Sequence, residues 1–247
     1  MKLGILLCDN VNQTLRTQYG DYSTMFATLL QQTNTPLKLV FYEVHKGVYP
    51  KDLDECDAYL STGSRYSVYD DLPWIDELVN FVRRLYDAQI GLVGICFGHQ
   101  LIAHALGGKV ALSYNGWGLG ISTAQIINKK PWMSPELPLV GLIVSHQDQV
   151  IALPANSQVI LANDFCPYSA IQVGNHFLGF QGHPEFTVEF SSALMDYRQD
   201  IIDPSRLAQG KKTLDKVADS QSIALWIVNF LQQTVKARKP TLYDLIK

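Results

Sequence analysis

The first half of the chain alternates short apolar runs with amphipathic stretches, and this is the tightest constraint on its fold. Lys2–Cys8, Leu37–Val44, Ala58–Ser61 and Ile90–Ile95 are short and mostly apolar, the pattern of strands buried on both faces. Between them, Tyr22–Gln32 and Trp74–Tyr86 carry helical spacing. In the second of these, Ile75, Leu78, Val79, Val82 and Leu85 make one apolar stripe. Strands alternating with helices predict a parallel sheet joined by right-handed crossovers. The second half changes character. Leu119–Ile127, Leu139–Ser145, Gln158–Ala162, Ser169–Val173 and His176–Gln181 are strand-like, and Val173-Gly174-Asn175-His176 marks a hairpin. The predicted class is α/β in three layers: a mostly parallel central sheet flanked by helices, with some antiparallel strands. Gln221–Arg238 closes the pattern as a helix whose stripe includes Ile223, Trp226, Ile227, Phe230, Leu231 and Val235. There is no internal repeat or low-complexity linker. We therefore expect one domain over 1–247, with 203–247 as a C-terminal helical extension.

Composition narrows the function classes. A chain of 247 residues, 47% hydrophobic, can bury a large core. A formal charge of −3, with no basic run interleaved with aromatics, argues against nucleic acid as a partner. Lys211-Lys212 sits near Asp215 and Asp219 and reads as a solvated face. The apolar run Leu3–Leu7 is too short for a signal peptide, and no stretch approaches the ~20 apolar residues of a membrane span. Cys8, Cys56, Cys96 and Cys166 are far apart without CxxC spacing, so neither a metal site nor a disulfide framework is expected. A reducing cytoplasm is the expected compartment.

The local signal with most chemistry in it is Val93-Gly94-Ile95-Cys96-Phe97-Gly98-His99-Gln100. An apolar strand ends at Cys96, and a helix follows with Leu101, Ile102, Ala105 and Leu106 on one face. Glycines two before and two after a nucleophile are the mark of an elbow, a strained turn where flanking side chains would collide with backbone. A thiol at a helix N-terminus also meets unpaired amides and a positive dipole end, which favour thiolate. A buried, inert cysteine in an ordinary strand–helix turn would show the same local pattern, so the rest of the chain has to decide. In Gln181-Gly182-His183-Pro184-Glu185, Pro184 excludes a helix, and an extended backbone would put His183 and Glu185 on one side. A carboxylate on one ring nitrogen would leave the other free to exchange a proton with Cys96. Alone, His-x-Glu is an ordinary surface pattern; its weight comes from the elbow. Of the other histidines, His99 reads as support for the turn, His104 as packing, and His45 and His176 as inert. His146 could line a site.

Together, Gly94-Ile95-Cys96-Phe97-Gly98-His99-Gln100 and Gly182-His183-Pro184-Glu185 resemble the class I, triad-type glutamine amidotransferases, especially those similar to the amidotransferase domain of GMP synthase. Ser145-His146-Gln147-Asp148 and Gly116-Trp117-Gly118 add to the match, which runs in order from about Lys2 to Glu189. The resemblance implies a flavodoxin-like fold. It casts Cys96 as nucleophile toward the glutamine side-chain amide, His183 as base and then acid, and Glu185 as its orienting partner. Phe97 would supply one oxyanion donor through its backbone amide. Gln100, Ser145 and His146 would bind substrate. The family's second oxyanion donor comes from a Gly-Gly-Pro loop, where this chain reads Thr62-Gly63-Ser64-Arg65. Gly63 and Ser64 then stand in for the two glycines, and Arg65 brings a charge toward the mouth.

The implied reaction releases ammonia through a γ-glutamyl thioester and uses no cofactor. The chain carries neither a Ser-Gly-Gly-x-Asp-Ser loop nor a Gly-x-x-x-x-Gly-Lys-Ser/Thr loop, so an ammonia acceptor would lie on a separate synthetase subunit. The substrate would be a small molecule, glutamine or another γ-glutamyl compound. A γ-glutamyl peptidase or hydrolase would use the same residues. A non-catalytic regulatory protein need not retain Cys96, His183 and Glu185, and a general cysteine protease or chaperone need not retain Gln100 or Ser145-His146.

Overall fold

The computed structural model of the chain describes residues 1–238. Its first half lays down β1 (Lys2–Leu6), α1 (Gln13–Tyr19), α2 (Tyr22–Gln31), β2 (Lys38–Tyr42), β3 (Ala58–Ser61), α3 (Pro73–Asp87), β4 (Gly91–Ile95) and α4 (Phe97–Ala105). Next come β5 (Lys109–Leu112), β6 (Gly118–Ile126), β7 (Val140–His146), β8 (Asp148–Ala152), β9 (Ser157–Ala162), β10 (Ala170–Val173) and β11 (Phe177–Phe180). After them come α5 (Val188–Tyr197), α6 (Pro204–Lys212) and α7 (Ser220–Arg238).

Among the described residues nine strands form one sheet in the order β2-β1-β3-β4-β11-β10-β9-β6-β7. The pairs from β2 to β11 are parallel. The pairs beyond β11 are antiparallel. The class is thus the three-layer α/β arrangement that the alternation of runs predicts. Both faces of the central strands are covered, which is why they are apolar throughout, and their period of two sends alternate residues into opposite layers. Leu3, Ile5, Leu60, Val93 and Ile95 join one core cluster with α2 and α7. Leu6, Tyr59 and Leu92 point the other way, into a second cluster with α3 and α4. A third, smaller cluster gathers Leu15, Ile143, Phe186 and Phe190 beside the site.

Local chemistry sets the helix starts. Asp21 accepts from the Tyr22 amide at the head of α2, and Thr187 caps α5 by accepting from the Phe190 amide at 3.1 Å. The hairpin turns at Gly174, whose φ of +56° suits a residue without a Cβ. Periodicity passes over α1, α5, α6 and the small antiparallel pair β5–β8. The reason is visible in α1, where Leu15 is the one buried residue of seven, too few to make a stripe. Of the segment from 203, residues 204–212 and 220–238 are helical, as α6 and α7, and 239–247 lie outside the described residues. Within it, Trp226 is fully buried and its Nε1 donates to the Pro135 carbonyl at 2.8 Å. Among the described residues no helix is long and apolar enough to cross a membrane.

Candidate active site

Cys96 stands between β4 and α4 at φ +52° and ψ −98°, a conformation that costs a non-glycine residue about 1–3 kcal/mol. Its neighbours show why glycine recurs here. A Cβ on Gly94 would lie 2.2 Å from the Gly98 carbonyl oxygen, and one on Gly98 would lie 2.7 Å from the Ser61 carbonyl oxygen. Neither obstacle is a side chain that can swing away. Gly94→Ala is therefore expected to destabilise the fold by about 3 kcal/mol or more, read as a lower unfolding midpoint in denaturant. A midpoint equal to that of the parent would show that the turn has slack the geometry denies. The first-turn amides of α4, that of Phe97 foremost, have no preceding helical carbonyl to bond.

His183 comes just past β11, the parallel neighbour of β4, so it leaves the same end of the sheet as Cys96. Its amide donates to the Ile143 carbonyl at 2.7 Å, an isolated bridge to β7. The extended run expected through Glu185 does not form: after the bridge the chain turns at Pro184-Glu185. That turn folds the carboxylate back on the ring, giving a 2.8 Å contact from His183 Nδ1 to Glu185 Oε1. An extended run could bring the two side chains only to the same side, since it separates alternate residues by about 6.6 Å. Phe186 stacks on the imidazole with centroids 4.0 Å apart and planes within 4°, which fixes the ring further. Burial alone would lower the His183 pKa. The Glu185 carboxylate and Cys96 outweigh it and hold the imidazolium up to about 10.

The loop after β3 closes over this pair. A Cβ on Gly63 would sit 2.9 Å from His183 Cε1 and 3.8 Å from Cys96 Cβ, so the Gly63 backbone passes directly beside both. Ser64 continues along the cavity wall. Arg65 lines the mouth, as its position in sequence suggests, but it is not a free charge. Its Nε donates to Asp9 Oδ2 at 2.8 Å.

The remaining residues singled out from the sequence also gather here. Gln100 Nε2 donates to the Asp148 carbonyl at 2.9 Å and to Gln181 Oε1 at 3.2 Å. Gln181 in turn donates to Cys96 Sγ at 3.5 Å. His146 lies 3.0 Å through Nδ1 from the Asp148 carbonyl, and burial pushes its pKa down to about 3, so it is neutral. A carbonyl only accepts, so Nδ1 carries the proton. His99 is fully buried, and burial lowers its pKa to about 4.

Ser145 has a partner that sequence reading misses. Arg198, just past α5, donates from Nη1 to Ser145 Oγ at 2.7 Å and lies 5.3 Å from the Trp117 ring centroid. Burial lowers its pKa, and Tyr22 and Cys96 work against that shift. No local motif flags it, because its relation to Ser145 spans 53 residues. Trp117 and Arg198 share with Cys96 and His183 one cavity of ≈ 550 Å³. Among the described residues no group of three or more His, Cys, Asp or Glu could hold a metal ion.

Known proteins are similar to this chain in sequence and in fold. The chain is 29% identical over 202 residues to gamma-glutamyl peptidase 5 of Arabidopsis thaliana, covering 79% of this chain and 80% of that one. It is 29% identical over 136 residues to a glutamine-hydrolyzing GMP synthase subunit of Sulfolobus acidocaldarius, covering 55% of this chain and 70% of that one. In fold it is similar to a glutamine amidotransferase of Thermotoga maritima, with a TM-score of 0.73 at 16% identity over 95% of this chain and 98% of that chain. Residues 21–195 match the family described as glutamine amidotransferase class-I. The chain belongs to the class-I glutamine amidotransferase family.

Proposed function

We propose that this chain hydrolyses a γ-glutamyl amide bond, with Cys96 as nucleophile, His183 as proton carrier and Glu185 as the group that orients His183. The observation that carries the reading is His183 held by Glu185 on one side and set beside Cys96 on the other, at the wall of a single cavity. Sγ attacks the γ-carbonyl carbon, and the oxyanion is met by the Phe97 amide and by the backbone at Gly63-Ser64. The C–N bond then breaks, and the nitrogen leaves with a proton from His183. Water attacks the thioester with His183 taking its proton, and glutamate departs as the thiol is restored. Arg198, set by Ser145 and Trp117, offers a fixed cation for a substrate carboxylate. Gln100 holds Gln181 against the sulfur, and neutral His146 completes the polar wall.

The cavity has room for a substrate larger than free glutamine. Its ≈ 550 Å³ falls within the range of about 300–1,000 Å³ typical of sites for drug-sized ligands. Similarity to a gamma-glutamyl peptidase points the same way. A second reading, glutamine hydrolysis that feeds ammonia to a separate synthetase subunit, draws on the similarity to the Sulfolobus GMP synthase protein. The four unpaired cysteines suit work in a reducing compartment, the cytoplasm.

The test is release of amine or ammonia by the purified chain from γ-glutamyl dipeptides and from glutamine, with Cys96→Ala as control. Faster cleavage of the dipeptides supports the peptidase reading. Fast, saturable release from glutamine alone would favour the second, and no release from any of them would refute both. Arg198→Gln is expected to raise KM by about 10-fold or more with a smaller change in kcat, since it removes a charged hydrogen bond to bound substrate. An unchanged KM would remove Arg198 from the substrate site.

A further inference from the structure

The loop that follows β3 is tied down at two places by carboxylates from elements far away in sequence. Asp9, three residues past β1, accepts from both the backbone amide and the Nε of Arg65, at 3.0 and 2.8 Å. Arg65 Nη2 also donates to the Asn10 carbonyl at 3.0 Å. At the other end, Asp148, the first residue of β8, accepts from Ser67 Oγ at 2.5 Å and from Tyr69 OH at 2.9 Å. Both carboxylates are buried, at 7% and 8% exposure. A buried carboxylate without donors is costly, so each depends on the loop as much as the loop depends on it. The first tie falls two residues past Gly63, which lies beside His183 and Cys96, and the second holds the loop further on at Ser67 and Tyr69.

We propose that Asp9 and Asp148 are positioning residues, a two-point clamp that keeps the Gly63–Tyr69 loop beside Cys96 and His183, so that the second oxyanion donor is in place within this chain alone. The inference rests on the γ-glutamyl reading of the site. It also gives Arg65 a purpose. A rigid Gly-Gly-Pro turn sets its own backbone, whereas this sequence sets it through side chains. Opening the loop would break the four donor contacts from Arg65, Ser67 and Tyr69 to the two carboxylates at once.

Three measurements on the full chain test the clamp in Asp9→Ala, Asp148→Ala and the milder pair Ser67→Ala/Tyr69→Phe. The first is amide hydrogen exchange over residues 63–70, the second kcat and KM on a γ-glutamyl dipeptide. The third is the rate at which iodoacetamide alkylates Cys96, a displacement that develops no oxyanion. The expected result is faster exchange in the loop, kcat lower by roughly 10- to 100-fold, KM little changed and alkylation unaltered. Arg65→Lys should retain most of the activity that Arg65→Ala loses, because the cation still reaches Asp9. Unchanged loop exchange would overturn the proposal, and so would a loosened loop with kcat intact. Parallel loss of alkylation and turnover would overturn it too, since the damage would then lie in Cys96 and His183 themselves. If the parent chain turns over no substrate while the variants still loosen the loop, the clamp stands and the proposed reaction fails. The serine–tyrosine pair keeps the test decisive should an aspartate variant not fold.

Discussion

Replacing Cys96 with alanine is expected to lower turnover by roughly 10⁴-fold or more while leaving the unfolding transition close to that of the parent chain. The strain at this position comes from a Cβ held at φ +52°, and alanine keeps the Cβ, so the elbow neither gains nor loses strain. The sulfur accepts a long hydrogen bond, 3.5 Å from Gln181 Nε2, whose loss costs the fold little. On the proposed chemistry, no other group could form the thioester. Cys166 is buried, and burial raises its pKa to about 11, far from a thiolate at neutral pH. Steady-state release from a γ-glutamyl dipeptide, with circular dichroism of the same samples, checks both halves of the expectation. A variant that kept parental turnover would show that the nucleophile lies elsewhere.

His183→Ala should cost about as much as Cys96→Ala, and Glu185→Gln less by about 10- to 100-fold, because an orienting group supplies only part of what the proton carrier does. The pair also predicts a pH signature. The folded-state His183 pKa stands near 10, above the 6.5 of an unfolded histidine. The stabilisation from this shift is fully present below about pH 6.5, where both states are protonated. It declines as pH rises toward 10 and is gone above it. Glu185→Gln removes the principal carboxylate that raises this pKa. The parent chain's stability margin over Glu185→Gln should therefore be widest near pH 6 and should shrink steadily toward pH 10. Denaturant unfolding at pH 6, 8 and 10 would show it, and a margin that widened with pH would mean that the ion pair is not the source.

What could be read directly from residues was whatever depends on neighbours in sequence. Both faces of the central strands are buried, so they appear as unbroken apolar runs, and the amphipathic α3 carries its stripe in five residues. The elbow is equally local. Gly94 meets the carbonyl of Gly98, four residues on, so the steric demand that shapes the turn is written within one motif. Tertiary structure decided the rest, for reasons of distance along the chain. The short polar α1 and the half-exposed β5 carry no periodic signal, and only their packing against the rest of the fold defines them. Glu185 reaches His183 through a turn that no propensity at Pro184 distinguishes from an extended run; the bridge to Ile143 in β7 sets where that turn begins. Arg198 meets Ser145 across 53 residues, Arg65 meets Asp9 across 56, and Tyr69 meets Asp148 across 79. Such pairings leave no trace in local spacing, because a charged side chain on a loop reads as solvated until the fold supplies its partner.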